Sequence, residues 1–290
     1  MRQTIELLVR TLYLPFFLLI GNGVAVYWIS EGYSKPWLVA WVLIFIGFSF
    51  LAEQLAAYDI AFNTPAGDQK RDTLHATINE SLTIAGLFSL PLVGDSLTLG
   101  AIWPNDWPLA LEFILAILIA DVGITLAHYA SHRLRVLWRL HAIHHSVKRM
   151  YGFNGLMKHP LHQLIETTAG VATLLLMGAP TEIMVLLATA VTLQLLLQHS
   201  NVAYYAGPLK FVLAINAVHR FHHLNTAEEG DVNFGLFTTF TDHLLGTWYY
   251  DGDRVIGSDD LGIASEPDYP VGYMPQLLEP LRKTRHEWPL

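Results

Sequence analysis

Six apolar stretches dominate the hydrophobic pattern of this 290-residue chain. They run from about Leu7 to Ile29, Trp37 to Tyr58, His75 to Ile102, Leu109 to Ala130, Leu161 to Met177 and Thr181 to Gln198. A helix needs about 20 apolar residues to cross the hydrocarbon core, so the first, second and fourth predict membrane spans. The third is weaker and is interrupted by Pro91, Gly94 and Asp95. The fifth and sixth, joined by Gly178-Ala179-Pro180, are short enough to be read either as crossings or as kinked, re-entrant or buried segments. No small-residue cleavage site follows the first run, which is therefore expected to stay as an anchor. From Asp251 to Leu290 no period is visible, and loops with short elements covering one face are expected. The fold class that follows is all-α, an integral membrane bundle of four to six spans with a helical cap.

Basic residues orient such a bundle. Arg2 and Arg10 precede the first stretch, and Lys70 and Arg71 follow the second. Arg133, Arg135, Arg139, Lys148, Arg149 and Lys158 follow the fourth, and Lys210, Arg220, Arg254, Arg282, Lys283 and Arg285 follow the sixth. The alternate connections hold only Lys35 or no basic residue. An even number of crossings with both termini cytoplasmic satisfies every loop, in a bacterial inner membrane or the endoplasmic reticulum.

Composition sharpens the picture. Charged residues make up 14% of the chain, well below the quarter or so of an average soluble domain. A net charge of −8 with 17 thinly spread basic residues offers no footprint for nucleic acid. The chain has no cysteine, which excludes disulfides, thiolate nucleophiles, cysteine-ligated iron–sulfur clusters and thiolate-bound haem. Histidine occurs 14 times, and imidazole suits zinc, iron, copper or nickel.

Most of these histidines cluster. His128 and His132 form HxxxH at the end of the fourth stretch, on a polar stripe with Asp121 and Thr125. Positions four apart share a helix face. His141, His144 and His145 form one HxxHH motif, and His219, His222 and His223 form a second. If helical, each offers up to three imidazoles to a metal site. Asp121 is expensive within a membrane helix, and is expected to orient an imidazole contributed by another segment or to pair across the bundle. His75, His243 and His286 stand alone and are read as hydrogen-bonded or interfacial residues.

With these motifs on one chain, the segment from the fourth stretch to Trp248 resembles the fatty acid hydroxylase and sterol desaturase superfamily. HYASH at His128–His132, HAIHH at His141–His145 and HRFHH at His219–His223 carry the likeness. His159-Pro160, the His199 of QHSN, Asn233-Phe234-Gly235 and Asp242 with Gly246-Thr247 agree with it. Many relatives have an acidic residue shortly after His-Pro, where this chain has His162, with Glu166 a turn further on.

The resemblance implies a non-haem centre of two iron ions held by His128, His132, His141, His144, His145, His219, His222 and His223, with His199 a ninth ligand. It also makes His159, His162, Asp121, Asn233 and Asp242 supporting residues or further ligands. It implies dioxygen as cosubstrate and oxidation of a lipid C–H bond (sterol, fatty acyl or related), giving an alcohol or an alkene. Such chemistry needs a redox metal, because no side chain supplies the oxidant. Electrons must come from a separate donor such as cytochrome b5, ferredoxin with its reductase, or a reduced pterin, since no nucleotide-binding fingerprint or fused haem domain is visible. The implied organisation is a membrane region at 1–107, a catalytic region at 108–250 and a cytoplasmic tail at 251–290, within one structural domain.

Two other classes compete. A metal transporter would place ligands along a path near the bilayer midplane, but mid-span polar residues are few: Asp121, Asn79 and Glu80. A membrane zinc hydrolase would need about three ligands and a general base, and HExxH is absent.

Overall fold

A computed structural model describes residues 1–99 and 102–282. Among these residues the protein is all-helical, with isolated β-bridges and no strand. The helices that position the site are α1 (Arg2–Ser30), α2 (Pro36–Leu55), α3 (Gln69–Leu97), α4 (Leu109–Arg133), α5 (Arg135–His145), α6 (Pro160–Met177), α7 (Thr181–His199) and α8 (Asn216–His222). Four of them are long and apolar enough to cross a membrane: α1, α2, α4 and α7. Three lie where the sequence predicts spans. The fourth, α7, is the sixth apolar stretch, and most of its central residues are buried inside the bundle.

The remaining stretches, α3 and α6, fall outside that class. The helix of α3 continues through Pro91 and Gly94 to Leu97, where the sequence reading expected an interruption. Membrane-protein helices tolerate proline because neighbouring groups re-satisfy the freed carbonyls. The same principle is visible in α1, which holds Pro15 and then a π-helical turn, Phe16–Gly21. Asn22 donates its side-chain amide to the Phe17 and Leu18 carbonyls, and the Trp41 indole donates to Gly21.

Helix ends gather at two opposite poles. At one pole Lys35 pairs with Glu182 at 2.8 Å, and Trp103 donates its backbone N–H to Met177. At the other, Ala57 bridges to Val202 and Tyr205 donates to the Arg10 carbonyl. This second pole collects the ends of α4 and α7 that carry His132 and His199, together with the start of α6.

Two close approaches set the geometry there. A Cβ on Gly123 of α4 would lie 2.1 Å from the Ala169 carbonyl oxygen of α6, so only glycine lets these helices meet. A Cβ on Gly155, in the 3-10 turn Gly152–Leu156, would lie 2.8 Å from His199 Nδ1 and 2.9 Å from the Leu195 carbonyl. That turn is tied to α2 through Glu53, which accepts from the Gly152 and Asn201 N–H groups.

Within residues 252–282 the chain packs over the histidine pole. Leu224 bridges to Leu261, Lys148 donates to the Leu261 carbonyl, and Gln276 meets His75 at 3.0 Å. His286, Lys283 and Arg285 lie outside the described residues.

Candidate metal centre

The chain reverses at Leu134, an extended residue between α4 and α5, so the HxxHH of α5 turns back onto the HxxxH of α4. Successive residues on a helix point about 100° apart. Neighbours in an HxxHH motif therefore cannot face one point, whereas its first and last residues, four apart, can. The two motifs split accordingly. His141 and His145 join His128, His132 and His222 in one group of five, while His144 joins His199, His219 and His223 in a group of four. Within each group the candidate donor atoms lie within 4.8 Å of one another. The groups adjoin, with the His145 and His223 rings stacked at 4.8 Å. All nine predicted ligand residues are thus brought together, at one end of the helical bundle.

The protonation pattern decides what these groups suit. In the group of five, His128 Nδ1 contacts the Phe234 carbonyl at 2.8 Å and His222 Nδ1 contacts the Val232 carbonyl at 2.9 Å. His132 Nδ1 lies 2.8 Å from an Asp231 carboxylate oxygen. In the group of four, His144 Nδ1 faces the Met157 carbonyl at 3.3 Å, and His199 Nδ1 the Leu195 carbonyl at 3.0 Å. These oxygens only accept, so Nδ1 carries the proton and Nε2 of each neutral ring is a bare lone pair.

Those lone pairs converge. The Nε2 atoms of His199 and His144 are 3.3 Å apart, and His222 Nε2 is buried with no partner. Bare lone pairs aimed at one another repel, and a buried unsatisfied polar atom costs about 1–3 kcal/mol. A divalent ion removes both penalties. Nε2–Nε2 separations run from 3.0 Å for His128–His141 to 3.3 Å for His223–His199. Two imidazole nitrogens about 2.1 Å from one ion and at right angles to each other are about 3 Å apart. The residues present therefore fit metal ions bound by imidazole. Burial, reinforced by neighbouring imidazoles, holds the pKa values of His141, His144, His145, His219, His222 and His223 well below the ordinary 6.5. They stay neutral, the form that ligates a metal.

The short run 231–234 holds three rings of the larger group and is itself tightly held. Asp242 accepts from the Phe234 and Gly235 N–H groups at 2.8 Å. Asn233, at φ 55°, donates its amide to the Val218 and Tyr249 carbonyls, and Gln198 donates to Gly235. Asn233 and Asp242 thus act on backbone rather than on imidazoles.

Asp121 corrects one expectation. Its carboxylate accepts from the backbone N–H groups of Leu236, Phe237 and Thr238 and from the Thr238 hydroxyl, so it orients no imidazole. Three converging amides satisfy the buried charge better than one ring would. His159 is likewise apart from both groups, capping α6 by accepting from the Leu161 N–H and facing the Leu277 carbonyl.

His162 lies closer. With Glu166 and His141 it forms a third cluster, meeting the Ser131 hydroxyl at 2.9 Å while Glu166 pairs with Lys158. His75 contacts the Lys158 carbonyl and Gln276, and His243 contacts the Phe211 carbonyl at 2.9 Å, both as lone hydrogen-bonded residues. Sequence reasoning did not find Asp231, Lys158, or the Val232 and Phe234 carbonyls. Phe234 entered only within the Asn233-Phe234-Gly235 motif and Lys158 only as a basic residue after the fourth stretch, neither with a role at the site.

Two cavities flank the centre. One of about 360 Å³ touches His132, His145, His222 and Trp138 and is bordered by Gly262–Ser265 of the tail. The other, about 690 Å³, lies among α3, α4, α6 and α7, with Glu166 in its wall.

The fold and site together define a membrane-helix bundle with buried imidazole groups, suited to hold metal ions, at one pole beside an apolar cavity. Comparison with known proteins agrees: residues 113–247 match the fatty acid hydroxylase family. The chain is 29% identical over 289 residues to the ornithine lipid hydroxylase OlsE of Rhizobium tropici, covering 96% of this chain and 86% of that one. It is 30% identical over 203 residues to alkylglycerol monooxygenase of Danio rerio, covering 64% and 44%. It is 33% identical over 144 residues to the sphingolipid C4-hydroxylase sur2 of Schizosaccharomyces pombe, covering 48% of each chain. The chain thus spans less than half the length of the last two relatives. No solved structure matches. The resemblance carried by the motifs is borne out, and the protein is an oxygen-dependent membrane oxidoreductase.

Proposed function

We propose that the protein hydroxylates a C–H bond of a membrane lipid at a centre of two non-haem iron ions. One ion is held by His128, His132, His141, His145 and His222, the other by His144, His199, His219 and His223. The observation that carries the reading is the convergence of proton-free Nε2 atoms in two adjoining groups. Bound iron supplies the redox chemistry that no side chain can, reductive activation of dioxygen. The chain's own part is positioning and exclusion. Asp231 and the Val232 and Phe234 carbonyls fix ring orientation, and burial keeps bulk water from the reacting centre. Hydroxylation is favoured over desaturation because the similar proteins are hydroxylases and a monooxygenase by name.

The basic residues Arg2, Arg10, Arg133 and Arg135 lie toward the histidine pole, which supports a cytoplasmic site with both termini on that side. Electrons then come from a soluble or membrane-attached donor (cytochrome b5, ferredoxin with its reductase, or a reduced pterin) reaching that face. In this reading 1–107 anchors the protein and helps admit lipid, 108–250 carries the chemistry, and 251–290 covers the site.

Metal analysis of the purified protein tests the proposal: about two iron per chain is expected, whereas one zinc per chain would point to a hydrolase. Lipid mass spectrometry of cells with and without the protein should show a species heavier by one oxygen. Its absence, with iron loaded and electrons supplied, overturns the function.

A further inference from the structure

We infer that two loops, residues 204–215 and 234–248, sink below the histidine pole and lie in the membrane, where acyl chains of the leaflet nearer the histidines cover their apolar tips. The inference rests on the membrane-spanning helices and not on the iron chemistry proposed above.

Depth follows from α4. A hydrocarbon core crossed by about 20 helical residues extends from Leu109, where α4 starts, to the level of His128. Asp121 lies seven residues short of His128, about 10 Å at 1.5 Å per residue. Its carboxylate accepts from the Leu236, Phe237 and Thr238 N–H groups, which fixes the second loop at the same depth. That loop leaves the level of His128 where the Phe234 carbonyl faces its Nδ1, and it has returned where Asn233 donates its N–H to the Thr247 carbonyl. The first loop is joined to it at the bottom: Ala214 donates to the Phe237 carbonyl, and Thr239 to that of Val212.

Polar groups at this depth are satisfied from within the protein. Gln194 of α7 donates to the Ala214 and Leu236 carbonyls, and the Thr239 hydroxyl and His243 Nε2 both donate to the Phe211 carbonyl. Irregular backbone is tolerated at membrane depth only where the protein satisfies it in this way. The charged side chains are withdrawn as well. Asp242 is buried against the Phe234 and Gly235 amides. The Lys210 ammonium lies 4.0 Å from the centre of the Tyr250 ring, the posture of a lysine reaching back toward headgroups.

The surface left over is apolar: Phe211, Val212, Phe240 and Leu244 are 45%, 55%, 61% and 71% exposed. Contiguous exposed apolar side chains mark a protein or membrane contact, and the surroundings select the membrane. The short helix Phe240–Leu245 packs against α4. On the face of α4 that carries Asp121, one and two turns farther from the histidines, Leu118 and Ile114 are exposed. The patch therefore continues the lipid-facing surface of a span.

The chain has no cysteine, so single cysteines in the full-length protein can carry spin labels at chosen points. In nanodiscs, labels on Phe240→Cys and Leu244→Cys should collide with dissolved oxygen and lose nearly all collision with a water-soluble nickel chelate. A Leu118→Cys label, in the span, sets that pattern, and Phe211→Cys should follow it. A Val255→Cys label, on the exposed tail, should meet the chelate freely. An unchanged unfolding temperature confirms that each labelled variant is folded. Nickel collision at Phe240 and Leu244 equal to that at Val255 would put the loops in water and overturn the inference. Shielding from both reagents, with dipolar broadening between labels, would also overturn it by showing a second copy seated on the patch. No turnover is read, so failure of the oxygenase reading leaves this result standing.

Discussion

The two histidine groups share a bundle end but are built on different supports. The group of five is held by a run of chain outside the long helices, residues 231–234, with a carboxylate among its acceptors, and it borders a cavity beneath the tail. The group of four is held by the helices and the turn packed on them. His199 leans on the carbonyl of Leu195 in its own helix, His144 faces Met157, and Gly155 closes against both His199 and Leu195. The difference teaches that one site is tuned by a loop and its charge, the other by backbone packing. The first borders a cavity under the tail; the second lies within the packed helices.

That contrast can be broken most severely at the rings themselves. His222→Ala and His144→Ala should each reduce turnover by more than about 100-fold, beyond the loss typical of outer partners. Each should also lower iron content, measured by elemental analysis, whereas His286→Ala should leave both unchanged. Full activity in the His144 variant would contradict a ligand role.

Gly155→Ala should damage the group of four selectively. Its Cβ would sit 2.8 Å from His199 Nδ1, and overpacking of this kind costs about 1–3 kcal/mol. The expected result is a lower unfolding temperature and about half the iron, with the group of five still loaded. Equal loss from both groups would show that the packing contrast is unreal.

Asp231→Asn should touch the other side. Removing the carboxylate beside His132 Nδ1 while keeping an acceptor should weaken metal retention at the group of five by roughly 10- to 100-fold. Chelator competition checks this, with the group of four as internal control.

The smallest effect concerns the cover. Burial and the nearby Glu279 raise the Glu266 pKa from 4.5 to about 7, against the opposing pull of Arg139. A carboxyl with a raised folded-state pKa contributes stability below its unfolded value that is lost as pH rises through the folded value. The tail should therefore grip the histidine pole more firmly near pH 5 than near pH 8, read as slower limited proteolysis within 251–282. Faster cleavage at pH 5 would refute it.

Much of this was legible along the chain because it is local. Apolar runs of fixed length follow from bilayer thickness, and α1, α2 and α4 lie where those runs predict. The His-x-x-x-His spacing follows from the helical period, which also explains why each HxxHH divides between two groups. The eight histidines of the three motifs needed no tertiary information to be singled out as one constellation, and His199 joined them through the family resemblance.

What depended on the folded chain was everything fixed by segments far apart in sequence. Asp121 was legible as a costly polar residue, but its partners lie 115 to 117 residues away, on backbone amides that have no sequence signature. The acceptors that set the imidazole tautomers are mostly main-chain carbonyls, which every residue possesses, so nothing in the sequence marks Val232, and the motif that contains Phe234 does not say that its carbonyl holds a ring. Whether α7 is a lipid-facing span or a buried core helix was undecidable from its hydropathy, because lipid and protein interior are equally apolar. Only packing against α1, α2 and α4 made it the buried strut that carries His199 to its place.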